Sequence, residues 1–200
     1  MSQMSLFSAA ARDPRVADVE GLLAGSGQVV RRGDAARISI VVPDGWRPQA
    51  LVAELAVLGI EAELDQAEPG SVTVRTPWLQ ELRAVADAWT LGAVKVPPTG
   101  WAVDGARLRW WCLAEGARAG GPPPTMYTLA LGPNDEPAWL AVGAALAAAG
   151  VAGVLVGPRA DGPAYRIVGQ RRLVRLRELV GDPPAGVPPE GWPQEPTTRG

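Results

Sequence analysis

Two short apolar segments each end in a polar residue followed by glycine, and these are the places where this chain could arrange chemistry. Val19–Gly27 is VEGLLAGSG and Leu108–Gly116 is LRWWCLAEG. The residue before the last glycine is Ser26 in the first and Glu115 in the second. Glu115 carries a charge at neutral pH and Ser26 does not, so the two segments do not offer the same chemistry. Other chemistries are excluded by count. Histidine is absent, which removes His bases, His triads and His-ligated zinc. Cys112 is the only cysteine, so there is no intrachain disulfide and no multi-cysteine zinc site, and a reducing, cytoplasmic compartment is expected.

The second chemical resource is arginine. Lys95 is the only lysine among 19 basic residues, a usage that fits a high-GC, actinobacterial type of genome. The net charge is −2, which argues against a generic polyanion binder. That sum hides segregation. Glu54–Glu68 holds Glu54, Glu61, Glu63, Asp65 and Glu68 without a base, whereas Arg159–Arg177 holds six arginines and only Asp161. The candidate phosphate-contacting residues are Arg31, Arg32, Arg37, Arg75, Arg166, Arg171, Arg172 and Arg175, because the guanidinium fork matches phosphate oxygens. Eight tryptophans against two tyrosines and one phenylalanine predict core or interface anchors.

These residues are carried on an internal repeat. VEGLLAGSG is followed by the strand-like RISIVV (Arg37–Val42), a helical RPQALVAELAVLG, IEAELD, a turn at Glu68–Gly70, SVTVRT and the amphipathic PWLQELRAVADAWTLG. LRWWCLAEG is followed in the same order by MYTLAL (Met126–Leu131), PAWLAVGAALAAAG, VAGVLV, a turn around Asp161–Pro163, AYRIVG and RRLVRLRELVGDPP. Gly27 and Gly116 are 89 apart, and Gly59 and Gly150 are 91 apart. The drift falls in turns, where insertions are tolerated. The apolar spacing of Trp78–Trp89 and of Leu173, Leu176 and Leu179 is helical. The weakest prediction is the strand pair opening each unit, because Ala117–Pro124 is rich in Gly and Pro.

The expected fold class is therefore α+β: tandem pseudo-twofold αββαββα repeats, each an antiparallel sheet packed by helices. The expected organisation is a flexible arm (1–16), a first repeat (17–94), a Pro/Gly linker (95–105), a second repeat (106–182) and a Pro-rich disordered tail (183–200) with an exposed Trp192. Ala138–Val156 is 19 residues without a charge, but its repeat counterpart Arg47–Leu64 carries three glutamates, so no membrane span is expected. Strand–helix–strand repeats of this kind also fit tandem ACT-like regulatory domains, with an effector near Pro43–Trp46.

The two glycine-terminated motifs and the unit order resemble the LAGLIDADG fold, and most nearly the degenerate LAGLIDADG domains of WhiA-type sporulation regulators. That resemblance implies two motif helices side by side on a pseudo-twofold axis, an acid at the end of each for divalent metal, and saddle-shaped sheets lying in the DNA major groove. The acid positions it assigns are Ser26 and Glu115, and because an uncharged serine cannot replace a bridging carboxylate, Glu115 is the one candidate metal ligand. With one acid of two, it implies a non-catalytic DNA-binding or regulatory protein without a cofactor, Mg²⁺ being needed only by a residual nuclease. Double-stranded DNA would be bound weakly, on one side and with strong salt dependence. The alternative is a protein-interaction module that uses its apolar and Trp-rich surface or the Pro-rich tail.

Overall fold

The protein is described from a computed structural model covering residues 8–9, 12–120, 125–160 and 162–194. The first motif forms a tight 3₁₀ helix over Val16–Ala24, opened by the Asp18 carboxylate, which accepts the Arg15 N–H at 2.8 Å. It leads into β1 (Gln28–Arg32), β2 (Ala35–Pro43), helix α1 (Trp46–Val57), β3 (Glu63–Glu68), β4 (Ser71–Arg75) and helix α2 (Arg83–Trp89). A two-residue-per-strand hairpin follows, β5 (Thr90–Leu91) and β6 (Val94–Lys95). The second unit contains the motif helix α3 (Gly105–Glu115), β7 (Gly116–Ala119), β8 (Met126–Ala130), α4 (Glu136–Ala148), β9 (Val154–Val156), β10 (Ala164–Val168) and α5 (Gln170–Val180).

Each unit builds one four-stranded antiparallel sheet with the same order, β1-β2-β4-β3 and β7-β8-β10-β9. Alternation along the strands sends one face inward. Ala36, Ile38, Ile40, Val42 and Val74 line that face in the first unit, and Tyr127, Leu129, Tyr165 and Ile167 in the second, all buried. The helices cover these faces, and one core runs through both units. The weakly predicted opening strand of the second unit is present as β7. The stretch once long enough to consider as a span breaks at Gly150 (φ +83°) between α4 and β9. Among the described residues no helix is long and apolar enough to cross a membrane.

The two motif helices pack against each other because the first has no side chain where they touch. A Cβ on Gly21 would collide with the Arg107 carbonyl, and one on Gly25 with the Glu115 carboxylate. Trp110 and Trp111, which occupy places where small residues would favour close approach, are accommodated by this one-sided arrangement. Both are buried, and the Trp111 indole donates to the Ala130 carbonyl at 2.8 Å.

The tail departs from expectation. Through Gln194 it is an ordered strap. Trp192 is 1% exposed, its N–H donates to Gly181 O at 2.9 Å, and the Arg109 guanidinium lies 5.2 Å over its ring. The Tyr127 hydroxyl donates to Gly191 O (3.2 Å) and Arg118 to Pro189 O (3.1 Å). The reason lies in the sequence: Val187–Trp192 is VPPEGW and Val96–Trp101, in the linker, is VPPTGW. The tail is thus the second unit's copy of the linker, where Trp101 packs edge-on against Trp89 with ring centres 5.0 Å apart. Residues 195–200 and the first seven of the expected arm lie outside the described residues.

Candidate functional site

The ends of the two motif helices meet where the sheets adjoin. Glu115, the last residue of α3, is tightly surrounded while keeping a part-exposed surface, and its carboxylate accepts the Ser26 backbone N–H at 2.9 and 3.1 Å. Burial pushes the Glu115 carboxyl up to about 7, against the opposing pull of Ser26 and of the Lys95 and Arg47 charges. The acid therefore bridges the two motifs rather than facing a second acid.

Two cations supplied by the chain close the same region. The Lys95 ammonium, 3% exposed, donates to Gly25 O (2.7 Å) and Gly27 O (2.8 Å) and pairs with the Asp135 carboxylate at 2.7 Å. Burial lowers the Lys95 pKa while Asp135 opposes that fall. Arg47 donates to Leu113 O (2.7 Å) and Gly116 O (2.6 Å), so it satisfies carbonyls at the C-terminal end of α3. Its guanidinium also lies 4.4 Å over the Trp46 ring. Two carboxylates thus face two bases. Sequence reading reached Glu115 but not Lys95, Asp135 or Arg47. The hydrogen-bond and ion-pair partners of these side chains lie 40 to 107 positions away in the chain, although Lys95 stands out as the sole lysine.

The residues present do not fit a divalent metal. The donor set has one motif carboxylate, already bonded to Ser26 N–H, and the neighbouring carbonyl oxygens hold an ammonium. Among the described residues no three His, Cys, Asp or Glu side chains come together in a metal-holding group. Asp18 and Glu20 serve elsewhere: Asp18 pairs with Arg12, while Glu20 accepts the buried Trp89 N–H at 2.9 Å and pairs with Arg107. Cys112 is buried, and burial pushes its thiol up to about 12, so it is not a nucleophile.

The eight arginines do not form one patch. Strand register puts Arg32, Arg37 and Arg75 on the outer face of the first sheet with Gln28, Ser39 and Thr73. Arg32 and Arg37 both lie over the Trp78 ring, 5.6 and 4.7 Å from its centre. Arg75 pairs with Asp65, and Arg37 lies 3.8 Å from Glu63, so acidic β3 partly neutralises this face. Arg31 points the other way, to Asp87 (3.0 Å) and the Gly92 carbonyl. In the second sheet only Arg166 is on the outer face, among Met126, Ala130, Val154, Val156 and Val168. Arg171, Arg172 and Arg175 are on α5, in the helix layer behind that sheet, and line an open groove of about 1010 Å³ with Gly150 and Glu178.

Paired motif helices flanked by two ββαββ sheets decide the fold, and solved structures agree. The homing endonuclease I-WcaI bound to its DNA recognition sequence superimposes with a TM-score of 0.59, at 8% identity, over 90% of this chain and 83% of that one. The N-terminal LAGLIDADG domain of DUF199/WhiA gives 0.54, at 12% identity, over 83% of each chain. The fold is that of the LAGLIDADG proteins. No family sequence model matches the chain, and no curated protein matches it in sequence. The ACT-like alternative gives way to this architecture, because it has no place for a central pair of motif helices. Within this fold, Ser26 stands just beyond the end of the first motif helix and Glu115 at the end of the second.

Proposed function

We propose that this chain is a non-catalytic, LAGLIDADG-derived DNA-binding protein with a regulatory rather than a nucleolytic role. The motif end carries this reading: one acid where two are needed, bonded to a backbone amide and flanked by Lys95 and Arg47. Two-metal phosphodiester cleavage needs divalent cations to activate water and stabilise the leaving oxygen. This donor set offers no place for them. DNA binding is supported by the fold and by Arg32, Arg37 and Arg75, which lie with Gln28 and Ser39 on one sheet face. A β-surface of that width suits the major groove. With few phosphates neutralised, binding is expected to be weak and to fall steeply with salt.

A mobility-shift titration against duplex DNA at increasing salt tests the binding, and absence of any shift at low salt overturns it. Incubation with supercoiled plasmid and Mg²⁺ or Mn²⁺ tests the second half. The plasmid is expected to stay intact, and cleavage abolished by Glu115→Gln would make the protein a nuclease.

A second reading is favoured by one observation. Apart from Arg166 and Thr128, the outer face of the second sheet is apolar, with Val154 60% and Val168 37% exposed. A protein partner on that half would leave DNA to the first unit alone. Val154→Asp is expected to weaken DNA binding if both sheet faces lie on the duplex, and to leave it unchanged if DNA is left to the first unit. Sedimentation with a candidate partner separates them.

A further inference from the structure

The motif end does more than lack a metal. We propose that Gly25 O, Gly27 O and the Asp135 carboxylate form a cation site whose permanent occupant is the chain's own Lys95 ammonium, so that the junction of the two units is held without any metal ion.

Three observations carry this. The ammonium has oxygen partners at 2.7, 2.8 and 2.7 Å, the number of donors it has to give. Those oxygens come from both units: Gly25 and Gly27 end the first motif helix, and Asp135 opens α4 of the second. The position is also peculiar to one unit, because the strap residue equivalent to Lys95 in the VPPxGW repeat is Gly186. The second motif end uses Arg47 instead. A carboxylate and two carbonyls are hard oxygen donors, which suit an alkali or alkaline-earth ion or an alkylammonium. Access exists as well. A cleft of about 240 Å³ lined by Ser26, Gln28, Ser39, Gly132, Asn134 and Asp135 opens onto the site. Gln28 reaches Asp135 from it at 3.3 Å.

The inference is independent of DNA binding. Its test is thermal unfolding of the full chain in EDTA, in millimolar Mg²⁺ or Ca²⁺, and in ethylammonium. Wild type is expected to melt at the same temperature in all of them. Lys95→Ala leaves a buried carboxylate unpaired and is expected to melt on the order of 10 °C lower in EDTA. At least one of the named cations should then restore part of that loss. Adding Asp135→Asn to Lys95→Ala should remove the restoration. An alanine variant that melts like wild type, or that gains nothing from any of the cations, overturns the proposal. So does one that stays unfolded in all of them. Lys95→Gln gives a second check, since its amide fills the site without charge. It should melt between wild type and Lys95→Ala and show no cation response, and a response as large as that of alanine would overturn the site.

Discussion

The two units share an order of elements but treat their two critical surfaces differently. In the first, the motif helix is a 3₁₀ helix that ends at Ala24, two residues before Ser26, and the outer sheet face carries arginines balanced by the acids of β3. In the second, the motif helix is α-helical and ends at Glu115, and the outer sheet face is largely valine, alanine and methionine. A symmetric catalyst would need matching ends. Here one end supplies the backbone N–H and carbonyls and the other the acid. The divergence teaches that the pseudo-twofold axis is retained as a packing device while its two ends have become donor and acceptor for each other.

The largest expected effect compares the two straps. Trp192 is 1% exposed and hydrogen-bonded, whereas Trp101 is only half-buried, and its buried N–H has no partner among the described residues. Trp192→Ala is expected to cost about 3–5 kcal/mol in urea unfolding, near the full cost of a large core deletion. Trp101→Ala should cost clearly less, and the reverse order would break the comparison. Next is the helix contact. Gly21→Ala forces a methyl into the Arg107 carbonyl and is expected to cost about 1–3 kcal/mol by the same measurement.

A pH profile separates the two motif ends. Folded Glu115 keeps its proton up to about 7, while its ordinary value is 4.5. Between those values the native state binds more protons than the unfolded chain, so this residue's contribution to stability falls as pH rises. With its residual exposure the fall is roughly 1–3 kcal/mol. Glu115→Gln should flatten that part of the profile, and a slope that persists places the titration elsewhere. The smallest effect concerns the sheet faces. Arg37→Ala with Arg75→Ala is expected to weaken DNA binding up to about tenfold and to reduce the salt slope by about 1–2. Arg166→Ala should do less, because the second sheet's outer face offers one of the candidate arginines against three on the first.

Much of this architecture was legible because periodicity and repetition are local properties of the chain. The helix Leu173–Val180, the helix-ending glycines and the offset of 89 to 91 residues between units all follow from side-chain spacing. The helix expected over Trp78–Trp89 is shorter: Leu79 is extended and bridges Ala36, a 3₁₀ turn covers Gln80–Leu82, and α2 begins only at Arg83, because pairing with β2 takes the first residues of the stripe. The tail was not legible from composition, since proline and glycine mark a rigid strap and a loose end alike. Aligning VPPEGW on VPPTGW is what distinguishes them. How the candidate arginines are distributed was not legible either. Which face a strand residue takes depends on register, and α5 lies behind the sheet.

The sequence by itself determined the duplication, the single acid at a motif end and the absence of His and disulfide chemistry, because those are matters of count and order. Only the tertiary structure decided that Lys95 and Arg47 cap the two motif ends, that Asp135 joins them, and that Trp192 closes the second unit. These are contacts between residues tens of positions apart, and a buried charge finds its partner by what folding brings within hydrogen-bond distance, not by spacing along the chain.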